Sequence, residues 1–353
     1  MKAPFAWDTH SDQPALLTDR AYKQAMRQRE FVAQIKTAAT ALWTLPISMM
    51  LMPFLKAEPR LGRDFYGMGV NLDKGEAQFE LLAELGVHHV LVRVPLFDLE
   101  RLADYVEFIA KWRAQGKTVL VNVLQDREHI DDMALLEVDL RRVFECLAPY
   151  ADEFQIGNAI NRTKWGFFSV DEYLRFFAVA QTLRDRSFPS LRLLGPAVID
   201  FEYHYTARAL FNHHTVRFDR ISSLLYVDRR GAPGNTQMGI FDPRRKIALL
   251  YALAWLSPKV VNPVAYITEV GWPLQGTAPY APTSEKECVS PDAYARFMQD
   301  YHTIAAASGK VARVYWHQLI APGYGLVDDR KGIIRKYPAF DAYRDMVTQS
   351  FLN

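Results

Sequence analysis

The chain has few cysteines and almost no net charge, so it lacks the usual sequence features of a metal site, a disulfide framework or a nucleic-acid-binding surface. Only two of its 353 residues are cysteines, Cys146 and Cys288, and neither has a second Cys or a His at metal-ligand spacing. Its 42 Lys and Arg stand against 40 Asp and Glu, which gives a formal net charge of +2 and no field that favours nucleic acid. We therefore expect no disulfide, no metal site and no nucleic-acid partner.

Two sequence signals are also missing. The amino terminus lacks the basic start, apolar core and small-residue cleavage site of a signal peptide, which predicts a cytoplasmic location. A glycine-rich phosphate loop is absent too, because the residues after the first predicted strand read GVNLDKG and not GxGxxG. This disfavours a nucleotide-binding fold, and we expect no cofactor.

One long apolar run, residues 38–55 (AATALWTLPISMMLMPFL), is present near the amino terminus. Its length is close to what crossing a bilayer requires, but Pro46 and Pro53 interrupt helical hydrogen bonding. It follows a basic stretch that holds Arg20, Lys23, Arg27, Arg29 and Lys36. We treat residues 1–60 as a helical extension that is either buried against the rest of the protein or in shallow contact with the inner membrane.

From Phe65 onward, short runs rich in Val, Ile and Leu alternate with longer segments of helical periodicity. This alternation is typical of repeated βα units around a parallel sheet. The predicted strands are Phe65–Asn71, His89–Val94, Thr118–Leu124, Glu153–Asn158, Leu191–Val198, Arg220–Tyr226, Val264–Glu269 and Val311–Gln318. The predicted helices include Glu76–Leu85, Leu99–Ala114, Val170–Arg184, Arg245–Leu256 and Pro291–Ser308. Eight units predict one (β/α)8 (TIM) barrel of the α/β class over residues 61–353.

Polar and aromatic residues gather where the predicted strands end. In a parallel barrel these ends meet at one rim, where the chemistry of such folds is located. A flat aromatic ring beside hydroxyl-binding side chains is what a sugar site requires. The residues at these ends are Asn71, Asp73, Arg93, Asn122, Gln125, Asp126, Asn158, Asp200, Glu202, Tyr226, Asp228, Glu269, Trp272, Trp316, His317 and Gln318.

Two strand ends carry a more specific pattern. The seventh strand and its continuation read VAYITEVGWP and contain Glu269, while the fourth reads FQIGNAINRTKWG and contains Asn158 and Ala159. The first resembles the nucleophile strand of the clan A glycoside hydrolases, retaining enzymes that cleave β-linked sugars, and is nearest to xylosidase-like and endoglycosidase-like members. The second resembles their G-N-E-x-N pattern, with Ala159 in place of the glutamate. The resemblance covers Phe65 to the carboxyl terminus and is strongest at these two strands.

The resemblance implies roles for individual residues. Glu269 is the expected nucleophile, position 159 is that of the acid/base glutamate, and Asn158 is expected to bind the sugar 2-hydroxyl. Arg93 resembles the arginine that supports the nucleophile, and Trp316 resembles the aromatic floor of the sugar site. The full set of predicted substrate-binding residues is Asn158, Arg93, Tyr226, Trp316, Trp272, Asn122 and His317.

The alanine leaves several hypotheses open. A retaining glycosidase needs two carboxyls about 5 Å apart, and losing the acid typically slows the reaction by a factor of about 10² to 10⁴. The chain is then either a glycosidase inactivated at position 159 or a natural pseudoenzyme that binds glycan or acts as a scaffold. A third hypothesis is a membrane-associated protein of a surface-polysaccharide pathway. Asp200 or Glu202 could also have taken over protonation. The basic pair Arg229 and Arg230 either binds an anionic group of the substrate or is exposed to solvent.

Overall fold

The computed structural model of the protein describes residues 5–350. Eight parallel strands form a closed barrel in chain order, with the last strand paired to the first. The barrel strands are β3 Tyr66–Val70, β4 His89–Pro95, β5 Thr118–Leu124, β6 Glu153–Ile156, β7 Arg192–Ile199, β8 Phe218–Leu224, β9 Val260–Val270 and β10 Val311–Trp316. Each predicted strand corresponds to one of these, so the predicted (β/α)8 fold is confirmed.

Helices surround the barrel. They are α1 Arg20–Arg29, α2 Phe31–Leu51, α3 Ala77–Leu85, α4 Leu102–Ala114, α5 Arg127–Asp131, α6 Met133–Leu147, α7 Val170–Ser187, α8 Tyr203–Leu210, α9 Pro243–Leu256, α10 Pro291–Ala307 and α11 Pro338–Gln349. Helix α7 illustrates how the sequence sets their ends: the Ser169 side chain accepts the N–H of Glu172, and two acidic residues in the first turn suit the positive end of the helix dipole.

Side chains fill the barrel interior. Leu91, Leu120, Leu194, Tyr266 and Tyr315 form one buried apolar cluster there. Most other buried apolar residues belong to one large cluster formed by the strands and helices. Because the interior is packed, the barrel is not a pore, and a ligand site has to lie at its mouth.

The amino-terminal extension covers the mouth. A short hairpin pairs β1 Trp7–Asp8 with β2 Gln13–Pro14. Between these strands, Asp12 Oδ2 accepts hydrogen bonds from Asn71 Nδ2 at 3.1 Å and Gln318 Nε2 at 3.2 Å. Asn71 follows β3 and Gln318 lies just after β10, so the hairpin lies over the carboxyl ends of the strands.

Helix α2 lies against α7, α8 and α9 through small side chains. The residues that it buries are Ala33, Thr37, Thr40, Thr44 and Ser48. The hydroxyls of its three buried threonines donate to carbonyl oxygens four residues earlier, which satisfies them inside the helix. Within residues 5–350 no helix combines the length and the apolar character needed to cross a membrane.

Candidate active site

Glu269 lies near the carboxyl end of β9 with its carboxylate held by two donors. Arg93 Nη2 on β4 lies 2.5 Å from Glu269 Oε2, and the Tyr226 hydroxyl, just after β8, donates to Glu269 Oε1 at 2.7 Å. The residue is only 7% exposed. Both carboxylate oxygens therefore have a fixed donor, which sets the orientation of the side chain.

The surroundings keep this carboxylate ionised. Burial would raise the pKa of Glu269, but the charges of His317 and Arg93 and the hydrogen bonds from Tyr226 and Arg93 lower it to about 2. Burial also lowers the pKa of His317 to about 4, so His317 is neutral near pH 7. At that pH the stabilisation of Glu269 comes from Arg93 and from Tyr226, whose pKa burial raises so that it stays a donor.

A cavity of about 180 Å³ lies beside the carboxylate. Its size suits a small group such as a single sugar ring. The predicted nucleophile and four of the predicted substrate-binding residues line it, which are Glu269, Arg93, Tyr226, Trp272 and His317, and Asp200 lines it as well. The Trp272 indole N–H donates to the carbonyl oxygen of Gly231 at 2.9 Å, which fixes that ring in the wall.

The amino-terminal hairpin supplies another wall of the cavity. Arg93 Nη1 donates to the main-chain oxygen of Asp12 at 3.0 Å, so one guanidinium contacts both the hairpin and Glu269. Lys164 Nζ donates to Gln13 Oε1 at 2.6 Å. No local sequence pattern indicates a role for these hairpin residues, because their partners lie up to 306 positions away in the chain.

The acids proposed as substitute proton donors are engaged by arginines. Arg162 Nη2 lies 2.6 Å and Arg230 Nη1 2.9 Å from the Asp200 carboxylate. Burial would raise the pKa of Asp200, but Arg230 and Arg162 outweigh it and lower that pKa, which makes Asp200 a poor acid. Glu202 is bound by Arg162 and is not among the residues lining the cavity. Arg230 does line it.

The end of β6 has a different environment. Asn158 is buried, and its Oδ1 accepts hydrogen bonds from Asn122 Nδ2 at 3.0 Å and Gln155 Nε2 at 3.2 Å. Ala159 has no exposed surface and a φ of 45°. It lies in an apolar cluster with Leu124, Trp165, Ala197 and Leu224. Among the residues described, the cavity lining includes none of Asn122, Asn158 and Ala159.

The predicted sugar floor, Trp316, lies in the core. It has no exposed surface, its indole N–H donates to the Tyr294 hydroxyl at 2.7 Å, and its ring stacks on Trp272. The described part of the cavity wall does not contain it. The wall contains Trp165 instead, with the Arg93 guanidinium 5.9 Å from its ring centroid.

A second cavity, of about 690 Å³, adjoins the first. The two share Lys164 and Trp165 in their walls, and Trp7 and Phe97 line the second one. Lys164 and Trp165 belong to the loop that follows β6, a few residues beyond the GNAINR motif. No cluster of three or more His, Cys, Asp or Glu suited to hold a metal ion is found in residues 5–350.

No known protein-family profile matches the chain, and no curated protein matches its sequence. Solved structures do resemble it. The family 1 β-glucosidase from Thermotoga maritima gives a TM-score of 0.60 at 10% identity, covering 84% of this chain and 100% of that one. A family 39 glycoside hydrolase from Xanthomonas axonopodis pv. citri gives 0.59 at 15% identity, covering 83% and 70%.

A family 128 endo-β-1,3-glucanase from Amycolatopsis mediterranei, solved with laminarihexaose, is a third similar structure. Its TM-score is 0.51 at 13% identity, covering 80% of this chain and 99% of that one. At identities this low the likeness shows the fold alone. The chain therefore has the closed eight-stranded parallel barrel fold that these glycoside hydrolases also have.

Proposed function

We propose that the chain is built as a retaining β-glycosidase for a polysaccharide or glycolipid glycan, with Glu269 as nucleophile and Ala159 at the acid/base position. The observation that carries the proposal is the Glu269 carboxylate, which lies at a cavity and is held ionised by Arg93 and Tyr226. An ionised carboxylate is the form that can attack the anomeric carbon.

The chemistry follows from having this one carboxylate. Glu269 attacks the anomeric carbon, a C–O bond forms to its oxygen, and the bond to the leaving oxygen breaks with its electron pair going to that oxygen. Without an acid at position 159, a sugar leaving group departs as an unprotonated alkoxide, which is slow. We therefore expect glycan binding with very slow turnover, and faster reaction when the leaving group is acidic, such as a nitrophenol.

Azide provides the test, because it attacks the glycosyl–Glu269 ester without needing a general base. The protein is incubated with a panel of 2,4-dinitrophenyl β-glycosides and azide, and the product is identified by NMR. We expect a β-glycosyl azide from at least one sugar, and none from the E269Q variant. If the whole panel gives no azide product, or if E269Q gives the same yield, Glu269 is not the nucleophile.

A second candidate function, glycan binding without catalysis, is favoured by the end of β6. There Ala159 is enclosed by apolar side chains and Asn158 Oδ1 accepts a hydrogen bond from Asn122, while two adjoining cavities share Trp165. This candidate predicts that W165A weakens binding of oligosaccharides and E269Q does not, as measured by calorimetry. An azide product from the unaltered chain would exclude it.

A further inference from the structure

Helix α2 places its small residues inside and its large apolar residues outside. The buried face consists of alanine, threonine and serine, as described above. Ile35, Leu42 and Met49 repeat every seven residues along the opposite side, and all three are exposed, Leu42 by 78%. Phe31, Val32, Trp43 and Met50 are exposed beside them. We call these seven residues the outward face of α2.

Such a face is unusual for a surface in contact with water alone. A helix on a globular protein normally turns its large apolar side chains inward and its polar ones outward. Contiguous exposed apolar surface of this kind marks an interaction site. The inverted pattern is consistent along the helix, because each buried position from Ala33 to Ser48 is small while the exposed positions include phenylalanine, tryptophan, leucine and methionine.

The chain around this face is basic. Residues 19–60 contain seven Lys or Arg and three Asp or Glu. One of the three acids, Glu30, is buried and accepts a hydrogen bond from Ser169. Five of the cations form no ion pair within residues 5–350, and these are Arg20, Lys23, Arg27, Lys56 and Arg60. Exposed apolar side chains flanked by unpaired cations match a negatively charged, apolar surface.

We propose that the outward face of α2 docks on an anionic lipid bilayer with the helix axis parallel to the membrane plane. No described helix is long and apolar enough to cross a bilayer, so the contact is with one leaflet. Trp43 suits the boundary between headgroups and acyl chains, because its apolar ring can contact the acyl chains while its N–H donates to the polar headgroup region. A second copy of the chain would bring the same unpaired cations together, so charge complementarity favours the bilayer.

Docking would also orient the barrel. Near its amino-terminal end, α2 contacts the loop that follows β6, because Gln34 Nε2 donates to the Phe168 carbonyl oxygen at 2.6 Å. That loop also carries Lys164 and Trp165, which line both cavities. One edge of the barrel mouth would therefore lie beside the amino-terminal end of the docked helix. The docking itself does not depend on the role of Glu269.

Vesicle flotation tests the proposal with the full chain. Vesicles of phosphatidylcholine alone are compared with vesicles that also contain phosphatidylglycerol. The test variant I35Q/L42Q/M50Q changes exposed positions of the outward face, and L42Q alone is a milder form. V138Q/M238Q is the matched control, because Val138 on α6 and Met238 in a turn before α9 are 65% and 76% exposed, outside α2. Thermal melting checks that each variant is folded.

We expect the unaltered protein and the control to float with the anionic vesicles. The triple variant should show at least tenfold less bound protein, with L42Q intermediate. A further variant, R20Q/K23Q/R27Q, should lose about tenfold of the binding to anionic vesicles and none of the binding to neutral ones. Equal flotation of all variants, or no flotation of the unaltered protein, would overturn the proposal. The proposal would also be overturned if light scattering shows that the unaltered protein is a dimer and the triple variant a monomer, and neither binds vesicles.

Discussion

The carboxyl ends of β9 and β6 both resemble strand motifs of the clan A glycoside hydrolases in sequence, but the structure gives them different surroundings. At β9, Glu269 reaches a cavity with a cation and a phenol fixing both of its oxygens. At β6, Ala159 has no exposed surface and is enclosed by apolar side chains. The comparison teaches that two strand ends with similar sequence motifs can place very different chemical groups at the mouth of one barrel.

The frame at β6 is well fixed. The main-chain N–H of Asn158 donates to Gln125 Oε1 at 2.9 Å, and Gln125 Nε2 donates back to the carbonyl oxygen of Asn158 at 2.8 Å. Gln125 Nε2 also donates to the Trp165 carbonyl oxygen at 2.9 Å. These bonds position the turn that carries residue 159. Placing a carboxyl at position 159 tests whether the two strand ends can act together in catalysis.

The largest expected effect comes from A159E. If β6 lacks only its carboxyl, hydrolysis of aryl β-glycosides should rise by a factor of about 10² to 10⁴ over the unaltered chain. A159Q is the matched control, with the same shape and no proton to donate, and steady-state rates are compared. If A159E and A159Q have equal rates, the difference between the two strand ends is greater than one missing acid.

The next effect should come from R93M at the β9 end. It leaves Glu269 buried without its cation, which should cost about 3–5 kcal/mol of unfolding free energy at neutral pH. R93K keeps the charge and should lose less. Urea denaturation at pH 7 measures all three proteins. A loss below about 1 kcal/mol for R93M, in the range of a surface ion pair, would mean that Glu269 is not held as described.

A smaller effect should appear in the pH dependence of stability. The folded protein resists protonating His317, whose pKa burial lowers to about 4, while the unfolded chain takes up that proton near pH 6.5. Stability is therefore fully present above pH 6.5 and falls as pH decreases towards 4. In H317N the loss of unfolding free energy between pH 7 and pH 4 should be smaller, by about 1.4 kcal/mol for each unit of the His317 pKa shift that the substitution removes.

His89 and His302 have pKa values lowered to about 4 by burial as well, so part of the decline should remain in H317N. Thermal melts from pH 7 to pH 4 give the comparison. An unchanged slope in H317N would show that His317 does not stay neutral beside Glu269.

The sequence predicted the fold because the signals are local. Each barrel strand carries its own apolar run, and the ends of parallel strands meet at one rim whatever the loops do. For the same reason Arg93, Tyr226 and His317 could be placed near Glu269. The choice of aromatic wall could not be predicted, because strand periodicity does not say whether Trp316 or Trp165 turns towards the cavity.

The amino-terminal extension was the least predictable part. Asp12 reaches the mouth through contacts with Asn71 and Gln318, which no local pattern encodes. The apolar run at residues 38–55 is evident in the sequence. Its composition alone does not predict that the helix buries Thr44 and Ser48 and exposes Leu42. Such choices are set by packing between distant segments.

Trapping of the covalent intermediate tests the central claim most directly. A panel of 2,4-dinitrophenyl 2-deoxy-2-fluoro-β-glycosides is incubated with the unaltered chain, since this leaving group needs no acid, and the digested protein is analysed by mass spectrometry. We predict that one sugar adds its glycosyl mass to the peptide containing Glu269 and that E269Q gains none. A label on any other residue, or no label from the entire panel, would contradict the assignment of Glu269 as nucleophile.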